Sequence, residues 1–269
     1  MIGFIGFGNM GSALAKGAIA AKVLKASRVL VFDHNADVRA DLKKARIPIA
    51  KQPLDVVKKS DIVFLCVKPQ DMKQAVLPLG LQANPKVLRT TCFVSIAAGI
   101  PIKRLESWLG EGVPVFRVMS NTPALLRSGM SAMSRGRFGT SLQEKRIKEI
   151  LSSVGEVAVV SELWMDAVTA VSGSGPAYVF YLAEAMMKAA QELGLTASVA
   201  RTLAHQTIYG AGRMLAARQE SAEELRRQVT SPNGTTAAAM AVLEKMNFKR
   251  LIRQALTAAA RRSAELSKS

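Results

Sequence analysis

Ile2-Gly3-Phe4-Ile5-Gly6-Phe7-Gly8-Asn9-Met10-Gly11 is the stretch of sequence that decides the fold. Its apolar first half, together with Met1, predicts a short buried strand over residues 1–5. A glycine-rich turn follows, and the next residues carry apolar side chains at helical spacing, which predicts a helix over 9–21. A strand, a glycine turn and a helix in direct succession indicate the first unit of a parallel β-α-β fold.

The glycines of this turn are Gly6, Gly8 and Gly11, which have the spacing G-x-G-x-x-G. Gly6 permits a tight turn, Gly8 leaves room for a pyrophosphate, and Gly11 lets the helix pack closely on the strand. The free N–H groups and the dipole at the helix start favour negative charge. We therefore predict that the turn binds a nicotinamide dinucleotide. The alternative is that the three glycines are only structural.

Asp33 ends the second predicted strand, which covers residues 28–32. A carboxylate at this place accepts hydrogen bonds from the adenosine ribose and repels a 2′-phosphate, so Asp33 favours NADH over NADPH. His34 and Arg39 lie close enough in the sequence to weaken that repulsion. Alternatively, Asp33 is a turn or capping residue before a helix predicted over 36–45.

Strands and helices alternate through about residue 160, which predicts a doubly wound α/β sheet of the Rossmann type in a domain over 1–160. The further predicted strands cover residues 61–67, 92–96, 113–119 and 156–160. After Ser161 the apolar residues recur at helical spacing. We therefore predict an all-α domain over 161–269 with helices at 176–193, 198–217 and 237–266. A helical region this rich in alanine and methionine is consistent with core packing or with a surface that buries itself against a second copy.

The composition excludes several classes of protein. Hydrophobic residues make up 49% of the 269 residues, and no apolar run is long enough to span a bilayer, so we expect neither a membrane segment nor a signal peptide. The two cysteines lie far apart, which argues against a disulfide framework or zinc site and favours the cytoplasm. The net charge is +17, but the basic residues occur in scattered pairs and aromatic residues make up only 5%, so we expect no nucleic-acid partner.

The sequence also lacks the motifs of hydrolases and metalloenzymes. It has no G-x-S-x-G elbow and no His, Asp and Glu cluster with the spacing of metal ligands, so we predict no metal. Hydride transfer needs neither, because the cofactor carries the reaction and the protein orients it.

Six segments, in order over nearly the whole chain, resemble the pyrroline-5-carboxylate reductase family. They are Ile5-Gly6-Phe7-Gly8-Asn9-Met10-Gly11, Val67-Lys68-Pro69, Ala97-Ala98-Gly99, Arg117-Val118-Met119-Ser120-Asn121-Thr122-Pro123, Ser172-Gly173-Ser174-Gly175-Pro176-Ala177-Tyr178 and Ser231-Pro232-Asn233-Gly234-Thr235-Thr236. The resemblance implies reduction of the ring imine of pyrroline-5-carboxylate by NAD(P)H to give L-proline, the last step of proline biosynthesis. It also implies a homodimer with interlocked helical domains, or a larger ring of dimers.

The resemblance implies roles for particular residues. The cofactor contacts would be Gly6, Phe7, Gly8, Asn9, Met10, Gly11, Asp33, Val67, Lys68, Pro69, Ala97, Ala98 and Gly99. The substrate contacts would be Glu162, Ser174, Gly234, Thr235 and Thr236. The hydroxyl of Thr236 would bond the ring nitrogen in the catalytic step, and backbone N–H groups of residues 234–236 would hold the substrate carboxylate. Taken alone, Thr235 and Thr236 also suit the N-cap of a following helix.

The chain departs from the family pattern at Ser120, Asn233 and Pro53. Asn233 replaces a glycine, and asparagine tolerates positive φ better than most residues. One rival is a β-hydroxyacid dehydrogenase of similar architecture, but Val179 stands where those enzymes place a lysine. A rival from another class is a nicotinamide-sensing or RNA-binding protein, which would explain the charge and would show no turnover.

Overall fold

The computed structural model describes residues 1–267 of the chain. Contacts between Cα atoms divide the chain into two compact units. The first unit comprises residues 1–173 together with the segment that begins at Ala259, and the second comprises residues 174–258. The last two residues of the domain predicted over 161–269 lie outside the described residues.

The first unit contains a seven-stranded sheet with the order β2-β1-β3-β4-β5-β6-β7. The strands are β1 Ile2–Ile5, β2 Val29–Phe32, β3 Ile62–Leu65, β4 Cys92–Ser95, β5 Val115–Ser120, β6 Gly129–Arg135 and β7 Gly155–Val159. Strands β1 to β5 are mutually parallel, β6 runs antiparallel to β5, and β7 is parallel to β6. The sheet confirms the predicted doubly wound architecture, and the boundary at residue 160 stays a prediction.

Strand β6 is absent from the sequence-based prediction, which is wrong at this point. The segment Gly129-Met130-Ser131-Ala132-Met133-Ser134-Arg135 is almost entirely buried and pairs with both β5 and β7. The sequence pattern does not indicate a buried strand here, because the buried residues include serines, Ser131 and Ser134, in place of large apolar residues. The hydroxyl of Ser134 donates to the carbonyl of Val160, which explains how a serine is accommodated inside the sheet.

Helices cover both faces of the sheet, as parallel strands require. In the first unit they are α1 Asn9–Ala20, α2 Ala36–Lys44, α3 Pro53–Lys59, α4 Met72–Gln82, α5 Pro85–Thr90, α6 Ile102–Leu109, α7 Ser141–Ser152 and α8 Met165–Val168. Short 3-10 turns lie at Ala26–Arg28, Pro69–Asp71, Thr122–Leu126 and Glu162–Trp164, and a π-helical turn lies at Thr169–Gly173.

Each face of the sheet has its own apolar core, because successive strand residues point to opposite sides. On one face, Phe4 stacks on Phe64 with ring centroids 5.0 Å apart, and helices α1, α2 and α7 cover them. On the other face, strand residues such as Ile5 and Phe93 pack beneath α3, α4, α5 and α6. These two cores fix the strand ends from which the candidate site is built.

The second unit is helical, as predicted. Its helices are α9 Gly175–Glu192, α10 Ala197–Ala217, α11 Ala222–Gln228, α12 Thr235–Lys245 and the first part of α13 Phe248–Leu266. The single helix predicted over 237–266 is wrong, because the chain breaks at Asn247, whose φ is +54°. Helix α11 was not predicted. Among residues 1–267, no helix combines the length and apolar character needed to cross a lipid bilayer.

Candidate active site

The strand order reverses direction between β1 and β3, and ligands of doubly wound sheets bind where that happens, at the carboxyl ends of the strands. A cleft of about 630 Å³ lies at this position. Its walls come from the turn after β1, the end of β2 and the turn after β3. The lining residues that the sequence predicted as cofactor contacts are Gly6, Phe7, Gly8, Asp33, Val67 and Lys68.

The three glycines of the first turn meet different requirements. Gly6 has a φ of +86°, and a Cβ there would lie 2.8 Å from the carbonyl oxygen of Cys66. A Cβ on Gly11 would lie 2.9 Å from the carbonyl oxygen of Gly6. A Cβ on Gly8 would meet no described atom within 4 Å. Gly6 and Gly11 are therefore required by packing, whereas Gly8 keeps open space in front of the helix.

The side chains of the turn divide between the core and solvent. Phe7 is buried against Phe4, with ring centroids 6.0 Å apart, and Met10 packs on the same core. Gly8 and Asn9 are exposed. Gly8 is the N-cap of α1, and no side chain caps this end. Because the first N–H groups of a helix have no partner within it, the helix start can accept an anion such as a pyrophosphate.

Asp33 holds the glycine turn in place. Its Oδ2 accepts a hydrogen bond from the N–H of Phe7 at 2.6 Å, and its Oδ1 accepts one from the N–H of Asn35 at 2.8 Å. The residue is only 8% exposed. The cap of α2 is Asn35, whose Oδ1 accepts from the N–H of Asp37 at 2.8 Å. The carboxylate of Asp33 is therefore a structural anchor that also borders the cleft.

Arg39 lies beside this anchor. Its Nη1 donates to the carbonyl oxygen of His34 at 2.6 Å and to that of Asp33 at 3.2 Å. A guanidinium is thus fixed at the end of β2, next to the cleft. This supports the expectation that positive charge partly offsets the negative charge of Asp33.

The turns after β3 and β4 differ in how exposed their residues are to solvent. Lys68 and Pro69 are exposed, and Val67 is half-buried. Ala97 and Gly99 are buried, so Ala98 is the residue of that loop that faces outward. The two turns follow neighbouring parallel strands and therefore lie at the same edge of the sheet.

Glu162 lies in the first unit, where its carboxylate contacts residues that are distant in the sequence. Its Oε1 accepts from the N–H of Ile102 at 2.7 Å, at the start of α6. The same atom lies 3.4 Å from Nη1 of Arg117, whose side chain is 6% exposed. Arg117 has no assigned role in the sequence-based prediction, since a buried cation is evident only once its partner is known. The side chain of Glu162 is 33% exposed, so it is not wholly enclosed.

The other predicted substrate residues lie in the second unit. Ser174 is half-buried at the N-cap of α9, and its side chain makes no capping bond. Gly234 is the N-cap of α12, and this end also has no side-chain cap, so the alternative that Thr235 or Thr236 caps the helix is wrong. Asn233 has a φ of +58°, which confirms that asparagine accommodates the turn.

The turn before α12 has the features of an anion site. The N–H of Gly234 already donates to the carbonyl of Ser231 at 3.1 Å, so it is not available to a ligand. The N–H groups of Thr235 and Thr236 start the helix and have no partner within it. Within residues 1–267, neither threonine hydroxyl forms a hydrogen bond.

The fold and the cleft together define a dinucleotide-binding protein with a doubly wound sheet. A family profile described as pyrroline-5-carboxylate reductase dimerisation matches residues 162–266, and one described as NADP oxidoreductase, coenzyme F420-dependent, matches residues 1–99.

Comparisons over the whole chain identify the family. The chain is 43% identical to a pyrroline-5-carboxylate reductase of Pseudomonas aeruginosa over 99% of its length and 96% of that protein, and 38% identical to one of Pisum sativum over the same fractions. A pyrroline-5-carboxylate reductase structure from Coxiella burnetii matches with a TM-score of 0.92 at 36% identity, covering 100% of this chain and 98% of that one. A pyrroline carboxylate reductase structure from Plasmodium falciparum with NADP bound matches with a TM-score of 0.85 at 28% identity, covering 99% and 97%. The chain belongs to the pyrroline-5-carboxylate reductase family.

Proposed function

We propose that this protein reduces the ring imine of pyrroline-5-carboxylate with NAD(P)H to give L-proline, the last step of proline biosynthesis. The observation that carries the proposal is the open glycine turn at the β1–β3 cleft, in a chain that matches reductases of this name over nearly its whole length. NAD(P)H, when bound, supplies the hydride. A proton on the ring nitrogen completes the reduction, and placement of the reacting carbons dominates the rate.

The first unit supplies the cofactor contacts. The backbone of Gly6, Phe7, Gly8, Asn9, Met10 and Gly11 surrounds the helix start that holds the pyrophosphate. The edge formed by Val67, Lys68, Pro69, Ala97, Ala98 and Gly99 faces the nicotinamide. Lys68 and Pro69 are exposed and Val67 and Ala98 are half-buried, so these residues of the edge are accessible for contact. The buried members, Ala97 and Gly99, shape the loop.

The proposed substrate contacts are Glu162 in the first unit and, in the second unit, Ser174 and the turn before α12. The free N–H groups of Thr235 and Thr236 bind the substrate carboxylate, because a helix start favours negative charge. The half-buried hydroxyl of Thr236 donates to or accepts from the ring nitrogen during reduction. The absence of a cap at this helix end supports these roles, since the threonine hydroxyls are not used by the fold.

The proposed cofactor preference is for NADH. Asp33 places a buried carboxylate at the end of β2, where it disfavours a 2′-phosphate, and Arg39 reduces this effect. Measured kcat/KM values for both cofactors test the proposal. A value for NADPH ten times that for NADH would contradict it.

The proposed assembly is a homodimer or a ring of dimers. The second unit exposes large apolar side chains on several helices, and the family profile that covers it is one for dimerisation. An obligate interface of this kind buries upwards of about 2,000 Å². Sedimentation at submicromolar concentration tests this, and a stable, active monomer would contradict it. A cytoplasmic location also remains a proposal, supported by two free cysteines.

The reaction is tested with purified protein by following absorbance at the nicotinamide band with pyrroline-5-carboxylate and either cofactor. Parallel reactions contain oxidised cofactor and a β-hydroxy acid. The proposal predicts cofactor oxidation with the imine and no turnover with the hydroxy acid. The reverse pattern favours the dehydrogenase alternative, and binding of cofactor without turnover of either substrate favours a sensing protein.

A further inference from the structure

We propose that the end segment of α13, residues 259–267, is a positioning element for the Ala97–Gly99 loop, held in place by the hydrogen bond between Ser263 and Asp166. The segment belongs to the first compact unit, unlike the rest of its helix. The inference rests on the proposed function, because it assumes that the loop faces the nicotinamide.

The end segment contacts the loop at Gly99. This residue is buried and has a φ of +72°, and a Cβ there would lie 3.3 Å from the Cβ of Leu266. The glycine therefore meets two demands, the left-handed backbone and the close approach of α13. The close approach of Leu266 therefore places the end of α13 directly against the loop at Gly99.

A second contact ties the end segment to the helix that follows the loop. Nη2 of Arg104, in the first turn of α6, donates to the carbonyl oxygen of Ser267 at 3.1 Å. The last carbonyls of a helix carry partial negative charge and lack hydrogen-bond donors within the helix. A guanidinium at this end supplies both a positive charge and a donor. The end segment therefore contacts the loop at Gly99 and also binds Arg104 at the start of α6, the helix that follows the loop.

The third contact joins the end segment to α8. Oγ of Ser263 donates to Oδ1 of Asp166 at 2.7 Å, and Ser263 is 4% exposed. Asp166 lies in α8, directly after the 3-10 turn that contains Glu162, and Glu162 accepts from the N–H of Ile102. Two elements therefore support the loop: the end of α13 contacts it at Gly99, and Glu162 binds Ile102 just after it. The hydrogen bond between Ser263 and Asp166 joins these two elements.

Such a support matters for hydride transfer because small displacements of a bound reactant lower the rate steeply. Ser263 and Asp166 act through the loop and touch neither substrate nor cofactor, so they are positioning residues. Loss of their bond loosens the loop and slows the chemical step. Cofactor contacts at the glycine turn stay as they are.

The test uses the full chain with Ser263→Ala, Asp166→Ala and Asp166→Asn. The last variant keeps an oxygen that accepts from Ser263. Ser107→Ala is the control, because it also removes a hydroxyl that donates to a helix carbonyl in the first unit, at 2.7 Å from the carbonyl of Arg104. The measurements are kcat, the deuterium isotope effect on kcat with cofactor labelled at the transferred position, the melting temperature and amide hydrogen exchange of residues 97–100.

Ser263→Ala and Asp166→Ala each lower kcat about three- to tenfold, as expected for one hydrogen bond, and raise the isotope effect because the chemical step becomes more rate-limiting. Asp166→Asn and Ser107→Ala stay near the unmodified enzyme. Loop amides exchange faster in the two alanine variants. A lower melting temperature with unchanged kcat and isotope effect would overturn the proposal, as would equal losses in Ser107→Ala. Hydrogen exchange needs no turnover, so it separates failure of this inference from failure of the proposed reaction.

Discussion

Replacing Asp33 with asparagine or alanine separates its two possible roles, as an anchor of the glycine turn and as a contact for the ribose. In the structure, each carboxylate oxygen accepts one backbone N–H, from Phe7 at 2.6 Å and from Asn35 at 2.8 Å. The bond from Phe7 is buried, so water cannot readily replace that acceptor, whereas the bond from Asn35 is part-buried and Asn35 itself is exposed. We therefore expect both variants to lose stability as well as to change cofactor binding.

The magnitude follows from the number of donors left unsatisfied. A buried donor without a partner costs about 1–3 kcal/mol. Asp33→Asn retains one acceptor oxygen and leaves one N–H unpaired, which predicts a loss of about 1–3 kcal/mol in the free energy of unfolding. Asp33→Ala leaves both N–H groups without this acceptor. The buried N–H of Phe7 alone predicts about 1–3 kcal/mol, and the part-buried N–H of Asn35 adds less because water can reach it.

Urea unfolding followed by tryptophan fluorescence reports on the first unit, in which Asp33 lies. Both tryptophans of the chain, Trp108 and Trp164, lie in the first unit. Asp37→Asn is the matched control, because it removes the same charge from an exposed position in the same segment. It should cost no more than about 1 kcal/mol, the value of one charge near a helix start.

Cofactor affinity completes the test. Loosening of the turn weakens binding of both NADH and NADPH, and removal of the charge shifts the ratio towards NADPH. The anchor role would be refuted if Asp33→Ala unfolded within about 0.5 kcal/mol of the unmodified protein, the range of ordinary surface substitutions.

Further predictions concern the substrate residues and the cysteines. Thr236→Ala lowers kcat/KM for the imine about five- to 150-fold, the worth of one hydrogen bond of roughly 1–3 kcal/mol, whereas Thr236→Ser keeps most activity; normal turnover with a lower melting temperature would show a purely structural role. Glu162→Ala lowers the free energy of unfolding in urea by about 1–3 kcal/mol, because Arg117 loses its counter-ion in a partly exposed pair and the N–H of Ile102 loses its acceptor. Glu162→Gln lowers it by less, because the amide oxygen still accepts from Ile102; equal losses would contradict the acceptor role at α6. Burial raises the pKa of Cys92 to about 12 and the pKa of Cys66 well above its usual range, so little thiolate forms at pH 8 and neither thiol should be alkylated in the folded protein; rapid labelling would contradict this.

The sequence was informative wherever a local pattern determined the structure. The apolar run before Gly6 predicted β1, and the glycine spacing predicted the turn, because both depend on neighbouring residues. Strand β6 was missed because its buried positions are serine, alanine and methionine, which do not favour strands on their own. The break at Asn247 had a signal, since asparagine is frequent after a helix end in the left-handed conformation.

Long-range contacts account for what could not be predicted at the site. The sequence placed Asp33 beside the cofactor, but its bond to the N–H of Phe7 depends on how β1 and β2 align. The bond between Glu162 and the N–H of Ile102 joins residues 60 positions apart. Neither has a local pattern, so the anchoring roles of these carboxylates become visible only in the folded chain.

The most direct test of the central claim follows the hydride itself. Purified protein is incubated with pyrroline-5-carboxylate and NADH that carries deuterium at the transferred position, and the product is analysed by mass spectrometry and NMR. The account predicts L-proline with one deuterium on the ring carbon that belonged to the imine. Proline without deuterium at that carbon, or no proline while the cofactor binds normally, would contradict it.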